Sequence, residues 1–417
     1  MHVFSEDYIN EVKLRNDIVS VVSEYVSLKR SGSNYVGLCP FHSEKTGSFI
    51  VSPSKQICKC FGCGEGGDPI GFLMKIENIT YPEAIEILAK KANMPIPTTT
   101  TSYDNKLIKL KEDLYKINEF VANYYHSKLY LESSKSAQDY VKKRKFNNKT
   151  LIEFTIGYSG TENNLYTILK EKGFDENTIL ESKLVIKSKN GQYYDFFKDR
   201  LIFPIRDIKG RVIAFGGRIL HNNITQYEPK YKNSPETKVY SKSRNLYGLY
   251  NAKKNKLNKI LIVEGYMDVV SLHQRGITNV VASLGTALTE AQGRLLKRFS
   301  DKIVMGYDAD GAGQNAIIRG MEILQSLGCD IRILQITGAK DPDEFVVKYG
   351  KDKLNLLVEK SISLVEYKVK ILTKTLDLNS SNDKIKFLRE IANVISKLDN
   401  EIEQEVYIDK ISKTYNI

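Results

Sequence analysis

Four residues near the start of the chain have the types and spacing of a metal site: Cys39-Pro-Phe-His42 and Cys60-Phe-Gly-Cys63. Two ligands separated by two residues suit a tight knuckle whose side chains converge on one ion. Three thiolates and one imidazole complete a closed tetrahedral set, the arrangement of a structural zinc site. Between the pairs, Ser48-Phe-Ile-Val51 and Gln56-Ile-Cys58-Lys59 read as two strands of a hairpin turned at Pro53-Ser54, so the unit reads as a zinc ribbon. Cys58 competes as a ligand, but Gly62 favours closure of Cys60 with Cys63, and Cys58 is read as a hairpin residue. Cys329, alone beside Gly328, reads as a packing or surface residue. A filled site implies a reducing compartment, and folding of the segment should depend on metal by about 10 kcal/mol or more.

A second set is acidic. Ile260-Leu-Ile-Val263 runs into Glu264-Gly265, Ile303-Val-Met-Gly-Tyr307 runs into Asp308-Ala-Asp310, and Asp341-Pro-Asp343-Glu344 follows downstream. Apolar strands ending in carboxylates place charge at the edge where open parallel sheets bind ligands. Asp308 and Asp310 are two apart and point the same way in extended chain. Clustered carboxylates repel unless cations neutralise them, and hard oxygen ligands suit Mg2+ or Mn2+. Such a site supports metal-assisted phosphoryl transfer. Gly311-Ala-Gly313-Gln-Asn-Ala316 matches a dinucleotide fingerprint after a strand, but the two preceding aspartates oppose a bare pyrophosphate. No phosphate-binding G-x-x-x-x-G-K-[ST] motif occurs.

The third feature is basic. Lys198, Arg200, Arg206, Arg211 and Arg218 flank Phe215-Gly216-Gly217, and Lys230-Tyr-Lys-Asn-Ser-Pro-Glu-Thr237, Lys242 and Arg244 follow. Glycines allow close approach of backbone to a ligand, Lys and Arg contact phosphates, and tyrosines stack on bases. Alone the stretch is equally a solvated face; beside the carboxylates it reads as a cradle for nucleotide and template.

These groups need elements to hold them. Residues 1–97 read as one zinc-binding unit, with helices near Asn16–Tyr25, Pro69–Ile76 and Pro82–Lys91. The Pro- and Thr-rich stretch at 98–104 reads as a linker. A long helix is expected from Lys106 to about Leu131, then strands at Arg200–Pro204 and Val212–Phe215 within a basic subdomain of 105–256. Over 257–350, strands at Lys259–Val263, Asn279–Ser283, Lys302–Tyr307 and Asp330–Ile336 alternate with helices, the pattern of a parallel sheet with helices on its faces. Residues 351–417 read as helical, with Ile385, Leu388, Ile391, Ala392, Ile395 and Leu398 forming a stripe. The fold class is therefore multidomain α+β.

Taken together these residues resemble a bacterial DnaG-type primase. Cys39-Pro-Phe-His42-Ser-Glu-Lys-Thr-Gly-Ser-Phe49 and Cys60-Phe-Gly-Cys63-Gly64 look like that family's zinc-binding domain. Phe203-Pro-Ile-Arg206, Phe215-Gly-Gly-Arg218 and Lys230–Thr237 look like its polymerase-domain motifs, and Glu264-Gly-Tyr-Met-Asp268 and Asp308-Ala-Asp310 like its Toprim motifs. The resemblance implies a DNA-templated RNA polymerase that starts short RNA primers de novo on single-stranded DNA from ribonucleoside triphosphates. It implies that Glu264, Asp308 and Asp310 bind catalytic Mg2+ or Mn2+, with Asp343 nearby and Asp341 beside it. It also implies nucleotide or template contacts from Arg144, Arg218, Lys230, Asn233 and Lys242. Two departures stand out: Gly47 occupies a position where the family usually has Pro, and the chain stops at Ile417 before the family's usual helicase-binding domain. It is thus expected to be a fragment or short variant without helicase binding.

The whole-chain numbers agree with a basic enzyme of this kind without requiring it. The 417 residues carry 62 Lys and Arg against 50 Asp and Glu, a net charge of +12 that attracts polyanions. An AT-rich genome, which inflates Lys, is the competing explanation of that balance, so the charge alone decides nothing. With 41% hydrophobic and 27% charged residues the chain is neither fibrous nor wholly disordered, and five cysteines are too few for a disulfide scaffold. The polar start, Met1 to Asn16, lacks a secretory apolar core, and no run is long enough to span a membrane. A cytoplasmic monomer at the replication fork is expected. The rival readings are another Toprim enzyme (a nuclease or type IA topoisomerase), a non-catalytic nucleic-acid binder, and a dinucleotide oxidoreductase.

Overall fold

The computed structural model describes residues 4, 6–96, 102–221, 228–255, 257–285, 287–307, 311–398 and 400–415. The chain forms two compact units, one made of residues 1–108, 324–329 and 363–417, the other of 109–323 and 330–362. The fold is α+β, with a zinc ribbon, a parallel sheet and a helical C-terminus.

In the first unit, five antiparallel strands lie in sequence order: Lys29–Ser31, Asn34–Gly37, Phe49–Ser52, Ile57–Cys60 and Gly66–Gly67. Alternation sets the two faces. Phe49, Val51, Cys58 and Cys60 point inward, while Ile57 and Lys59 point out. Phe41, Phe49 and Phe72 meet with ring centroids 5.8–6.0 Å apart at the centre of this core. Helices Pro69–Glu77 and Tyr81–Lys91 start on strong caps: the Asp68 carboxylate accepts from the Gly71 amide at 2.8 Å, and Thr80 forms a capping box with Glu83. The opening helix expected over Asn16–Tyr25 is present as Ile18–Ser23, and a further helix, Glu6–Arg15, precedes it. Asn16 and Asp17 separate the two: the Asn16 amide is turned back onto the Val12 carbonyl at 2.8 Å, and Asp17 caps the second helix.

Helices Leu364–Thr375, Ser381–Ile395 and Glu401–Tyr415 also belong to this unit. The apolar stripe of the second is rotated from the expected one. Phe387, Ile391 and Ile395 are buried, whereas Ile385 is 54% exposed.

The second unit begins within the long helix Ser102–Lys128, from Lys109 onward, and carries two sheets that matter for function. One is antiparallel, in the order Tyr231–Asn233, Val212–Ile219, Arg200–Arg206, Gly157–Tyr158. The other is parallel over Val280–Ala282, Ile260–Val263, Lys302–Met305 and Asp330–Ile333, in that order, with Ile362–Ser363 at its edge. Ile260, Ile262 and Val263 are fully buried, as strands covered on both faces must be. Each such side chain contributes roughly 1.5–3 kcal/mol. Among the described residues no helix is long and apolar enough to cross a membrane.

Candidate metal centres and active site

The ribbon brings Cys39, His42, Cys60 and Cys63 together, with one ligand atom of each within 4.8 Å of the others. Cys39 Sγ lies 3.8 Å from Cys63 Sγ, and His42 Nδ1 lies 3.6 Å from Cys60 Sγ. The other ring nitrogen, His42 Nε2, is 3.4 Å from the Glu44 carboxylate. A ligating histidine is commonly oriented by a carboxylate on its second nitrogen in this way. Glu44 is fixed in turn by the Cys39 and Ser48 amides at 2.7 and 2.9 Å. Burial works against its charge, but the Ser48 hydroxyl and these two amides outweigh it and hold Glu44 below the usual carboxylate range.

Amide donors also surround the sulfurs. Phe41 donates to Cys39 Sγ at 3.4 Å, and Gly62 and Cys63 donate to Cys60 Sγ at 3.3 and 3.4 Å. For Cys60, burial opposes ionisation, yet the Ser48 hydroxyl and the two amides lower its pKa. Cys39 is pushed up, chiefly by burial; a bound cation reverses that by deprotonating its thiol ligands outright. Gly62 is required by space: a Cβ there would sit 2.8 Å from His42 Nε2. The donor set and its supports fit one tetrahedral zinc ion. Cys58 stays out of the cluster. Its thiol faces the Gly67 carbonyl at 3.4 Å, and burial pushes its pKa up to about 11.

In the parallel sheet, Glu264 follows Val263 directly and is half-buried. Ile262 pairs with Met305, and the Gly306 amide continues the ladder to the Ile262 carbonyl at 2.8 Å. That register sets Glu264 level with Tyr307, the residue before Asp308. Tyr307 donates to Ser283 Oγ at 3.2 Å, and burial, aided by the charge of Glu264, pushes its pKa up to about 12. Asp308 and Asp310 themselves lie outside the described residues, as do residues 98–101 of the expected linker. Asp343, only 9% exposed, accepts a hydrogen bond from Ser271 Oγ and lies 3.6 Å from an Arg144 guanidinium nitrogen. Asp341 acts locally, as the cap of helix Pro342–Tyr349, where it accepts from the Glu344 amide at 2.7 Å.

The basic residues separate into two groups. Arg200 is buried and donates to the Gly217 and Pro229 carbonyls; Arg206 reaches Glu119, Thr155 and the Gly210 carbonyl; Arg211 pairs with Asp207. These three fix the sheet and its turn. Arg218 is held instead by tyrosines, and Arg144 by a tyrosine together with Asp343. Arg218 donates to Tyr231 Oη at 2.7 Å, and Arg144 Nε donates to Tyr140 Oη at 3.0 Å. Lys230 is exposed, with its carbonyl on the Ile219 amide. Asn233 is locked between Tyr266 Oη at 2.6 Å and the Leu284 carbonyl at 2.9 Å. Lys242 starts a short 3-10 turn, and its carbonyl accepts from Gln292 at 3.1 Å.

The glycines of Phe215-Gly216-Gly217 do not open the backbone to a ligand, contrary to the expectation from sequence. A Cβ on Gly216 would meet the Tyr266 ring at 2.3 Å, and one on Gly217 would meet the Phe197 ring at 2.6 Å. Both faces of the strand are already occupied by aromatic rings. Gly216→Ala is therefore expected to cost about 1–3 kcal/mol of stability by overpacking, read from chemical denaturation. An unchanged midpoint would show that the Tyr266 ring does not lie there.

Comparison with known proteins settles the family. Models for the CHC2 zinc finger, the N-terminal domain of the DNA primase catalytic core and a Toprim-like domain match residues 4–104, 124–253 and 261–346. The DNA primase of Clostridium acetobutylicum is 48% identical over 98% of this chain and 68% of its own length; that of Halalkalibacterium halodurans is 37% identical over 99% and 69%. The chain belongs to the DnaG-type DNA primase family. It spans about two thirds of the length of these two relatives. Among solved structures, the zinc-binding and RNA polymerase domains of the Aquifex aeolicus primase align over 99% of this chain and 98% of theirs, at 35% identity and a TM-score of 0.63. A DnaG primase catalytic domain bound to single-stranded DNA aligns over 73% of this chain and 99% of its own, at 31% identity and a TM-score of 0.64.

One expectation is overturned. A model described as the DnaB-helicase binding domain of primase matches residues 365–417, so a region of that kind is present in this primase, not absent. The reason for the error is physical: an amphipathic stripe such as Phe387, Ile391 and Ile395 reports a buried face and says nothing of what the exposed face of a helix binds. Sequence reasoning also missed Tyr140 and Tyr231 as supports of the arginines. The signal for Tyr140 was available, since it sits four residues before Arg144 on the helix Lys135–Lys143 and its C-cap.

Proposed function

We propose that this primase joins ribonucleotides on single-stranded DNA at the carboxyl edge of its parallel sheet, with Glu264, Asp308 and Asp310 as ligands of catalytic Mg2+ or Mn2+. The observation that carries this is the register that sets Glu264 level with the residue preceding Asp308. In the reaction, the 3′-hydroxyl of one ribonucleotide forms a bond to the α-phosphorus of the next, and the bond to the leaving pyrophosphate breaks. Divalent metal bound there would supply Lewis-acid stabilisation of the charge on the attacking and leaving oxygens. The chain's own cations do the holding: Arg144, Arg218, Lys230 and Lys242 bind phosphates of nucleotide or template, while Asn233 ties the antiparallel sheet to the loop at Leu284. Asp343 orients Arg144 and adds negative charge near the site.

The zinc ribbon supplies a second contact with the template. Its outer face presents Lys59 and the 70% exposed Phe61, with Lys59 Nζ 5.8 Å from the Phe61 ring. A cation for a phosphate and a ring for a base are what single-stranded nucleic acid needs. Residues 365–417 are proposed to contact the replicative helicase in the cytoplasm.

The test is RNA synthesis on single-stranded DNA with four ribonucleotides and Mg2+ or Mn2+ in separate reactions. Short RNA in either identifies the working metal. Relaxation of supercoiled DNA without nucleotides, and no RNA, would favour a topoisomerase-like Toprim enzyme instead.

A further inference from the structure

The arginines of the basic region differ in what holds them. Arg200, Arg206 and Arg211 are engaged by carbonyls or carboxylates. Arg218 is engaged by phenols: its guanidinium lies 4.9 Å over the Tyr140 ring and 5.2 Å from that of Tyr231, whose hydroxyl accepts its hydrogen bond. Its Nε is covered and has no acceptor among the described residues. Tyr140 also accepts from Arg144 Nε, so one side chain touches both guanidinium groups, one through its hydroxyl and one through its face.

A carboxylate would fix an arginine equally well, but it would cancel the charge that a phosphate needs. At Arg218 a phenol fixes the fork and leaves the charge intact, while Arg144, which also lies 3.6 Å from Asp343, is held by a phenol and a carboxylate together. Burial, with Asp268 and Tyr140 nearby and Arg218 opposing, pushes the Tyr231 pKa up to about 12, so that holder stays neutral across the working range. Arginine carries about 2 kcal/mol of rotamer entropy that must be lost when it binds, and a stacked, hydrogen-bonded guanidinium has lost much of it beforehand.

We propose that Tyr140 is a positioning residue that pre-orients Arg144 and Arg218 together for a phosphate of the template strand or of a ribonucleotide. The proposal rests on the reading that these two arginines contact phosphates, and the experiment separates the two ideas. Four proteins are compared as full chains: the parent, Arg218→Ala, Tyr140→Phe and Tyr140→Leu. Fluorescence anisotropy reads binding of a labelled single-stranded oligonucleotide across salt concentrations, and steady-state primer synthesis reads KM and kcat for ribonucleotides. Thermal melting checks the fold.

Arg218→Ala should weaken phosphate binding and, on DNA, lower the slope of log K against log salt by about 0.7, one phosphate contact on a single strand. Tyr140→Phe loses only the hydrogen bond to Arg144 and should weaken binding about threefold to tenfold. Its salt slope should stay at the parental value, because both charges remain, and kcat should be unchanged. Tyr140→Leu, which also loses the ring beneath Arg218, should weaken binding about threefold further. An effect on oligonucleotide binding assigns the phosphate to the template; an effect confined to KM assigns it to the nucleotide. If Arg218→Ala weakens binding and both Tyr140 variants, with parental melting, bind as the parent does, the positioning role is wrong and the arginine reading stands. If Arg218→Ala changes neither readout, the arginine reading falls and the positioning role falls with it.

Discussion

Replacing Glu264 by Gln should lower primer synthesis by about a thousandfold or more, with melting temperature and oligonucleotide binding close to parental. Gln keeps the shape of Glu and removes its charge. The side chain is half-buried at the end of a strand whose four residues are all buried, so the strand and not the carboxylate holds the backbone in place. What would be lost is the anionic ligand for divalent metal proposed at this position. Metal stabilisation of transition-state charge contributes several kcal/mol, and each 1.36 kcal/mol is about tenfold in rate. Product accumulation on a denaturing gel, at saturating ribonucleotides, measures the loss. A rate within tenfold of the parent would remove Glu264 from the metal site.

The second large effect concerns zinc. Cys60→Ser should abolish zinc binding, measured as metal per chain, and should remove the cooperative melting of the ribbon. Cys58→Ser should leave about one zinc per chain. The two cysteines are two residues apart on the same buried face of one strand, so the contrast isolates ligation from packing. Structural zinc contributes roughly 10–16 kcal/mol of binding free energy in small metal-folded domains. Without zinc the ribbon would rest on a five-stranded sheet of two- to four-residue strands and on the unit's apolar core, which includes Phe41, Phe49, Phe72, Ile85 and Leu88. Equal zinc loss in both variants would mean that Cys58 ligates.

Some of this molecule was legible in its residues. The convergence of Cys39, His42, Cys60 and Cys63 follows from two knuckle spacings, because local chain geometry decides it. The parallel strands were legible as short runs of Ile, Leu and Val, because strands buried on both faces have no polar side. The strand of Gly216 and Gly217 was legible too, but the purpose of its glycines was not. Their neighbours Tyr266 and Phe197 come from distant parts of the chain, and only tertiary packing places a ring against each. The same limit applied to charge. Arg200, Arg206 and Arg211 look like Arg218 in the sequence, yet carbonyls and carboxylates engage the first three: Gly217 and Pro229 for Arg200, Glu119 for Arg206, and Asp207 of the adjoining turn for Arg211. At the C-terminus the periodicity was visible and the rotation of the stripe was not, since Phe387 displaces Ile385 from the core.

Template-directed RNA synthesis is expected at the carboxylates that end the parallel strands. The most direct measurement is sequencing of the RNA made by the parent chain and by Asp308→Ala on single-stranded DNA of defined sequence, with all four ribonucleotides and divalent metal. Short RNA complementary to the template is expected from the parent and none from the variant. RNA from both proteins, or RNA whose sequence ignores the template, would contradict it.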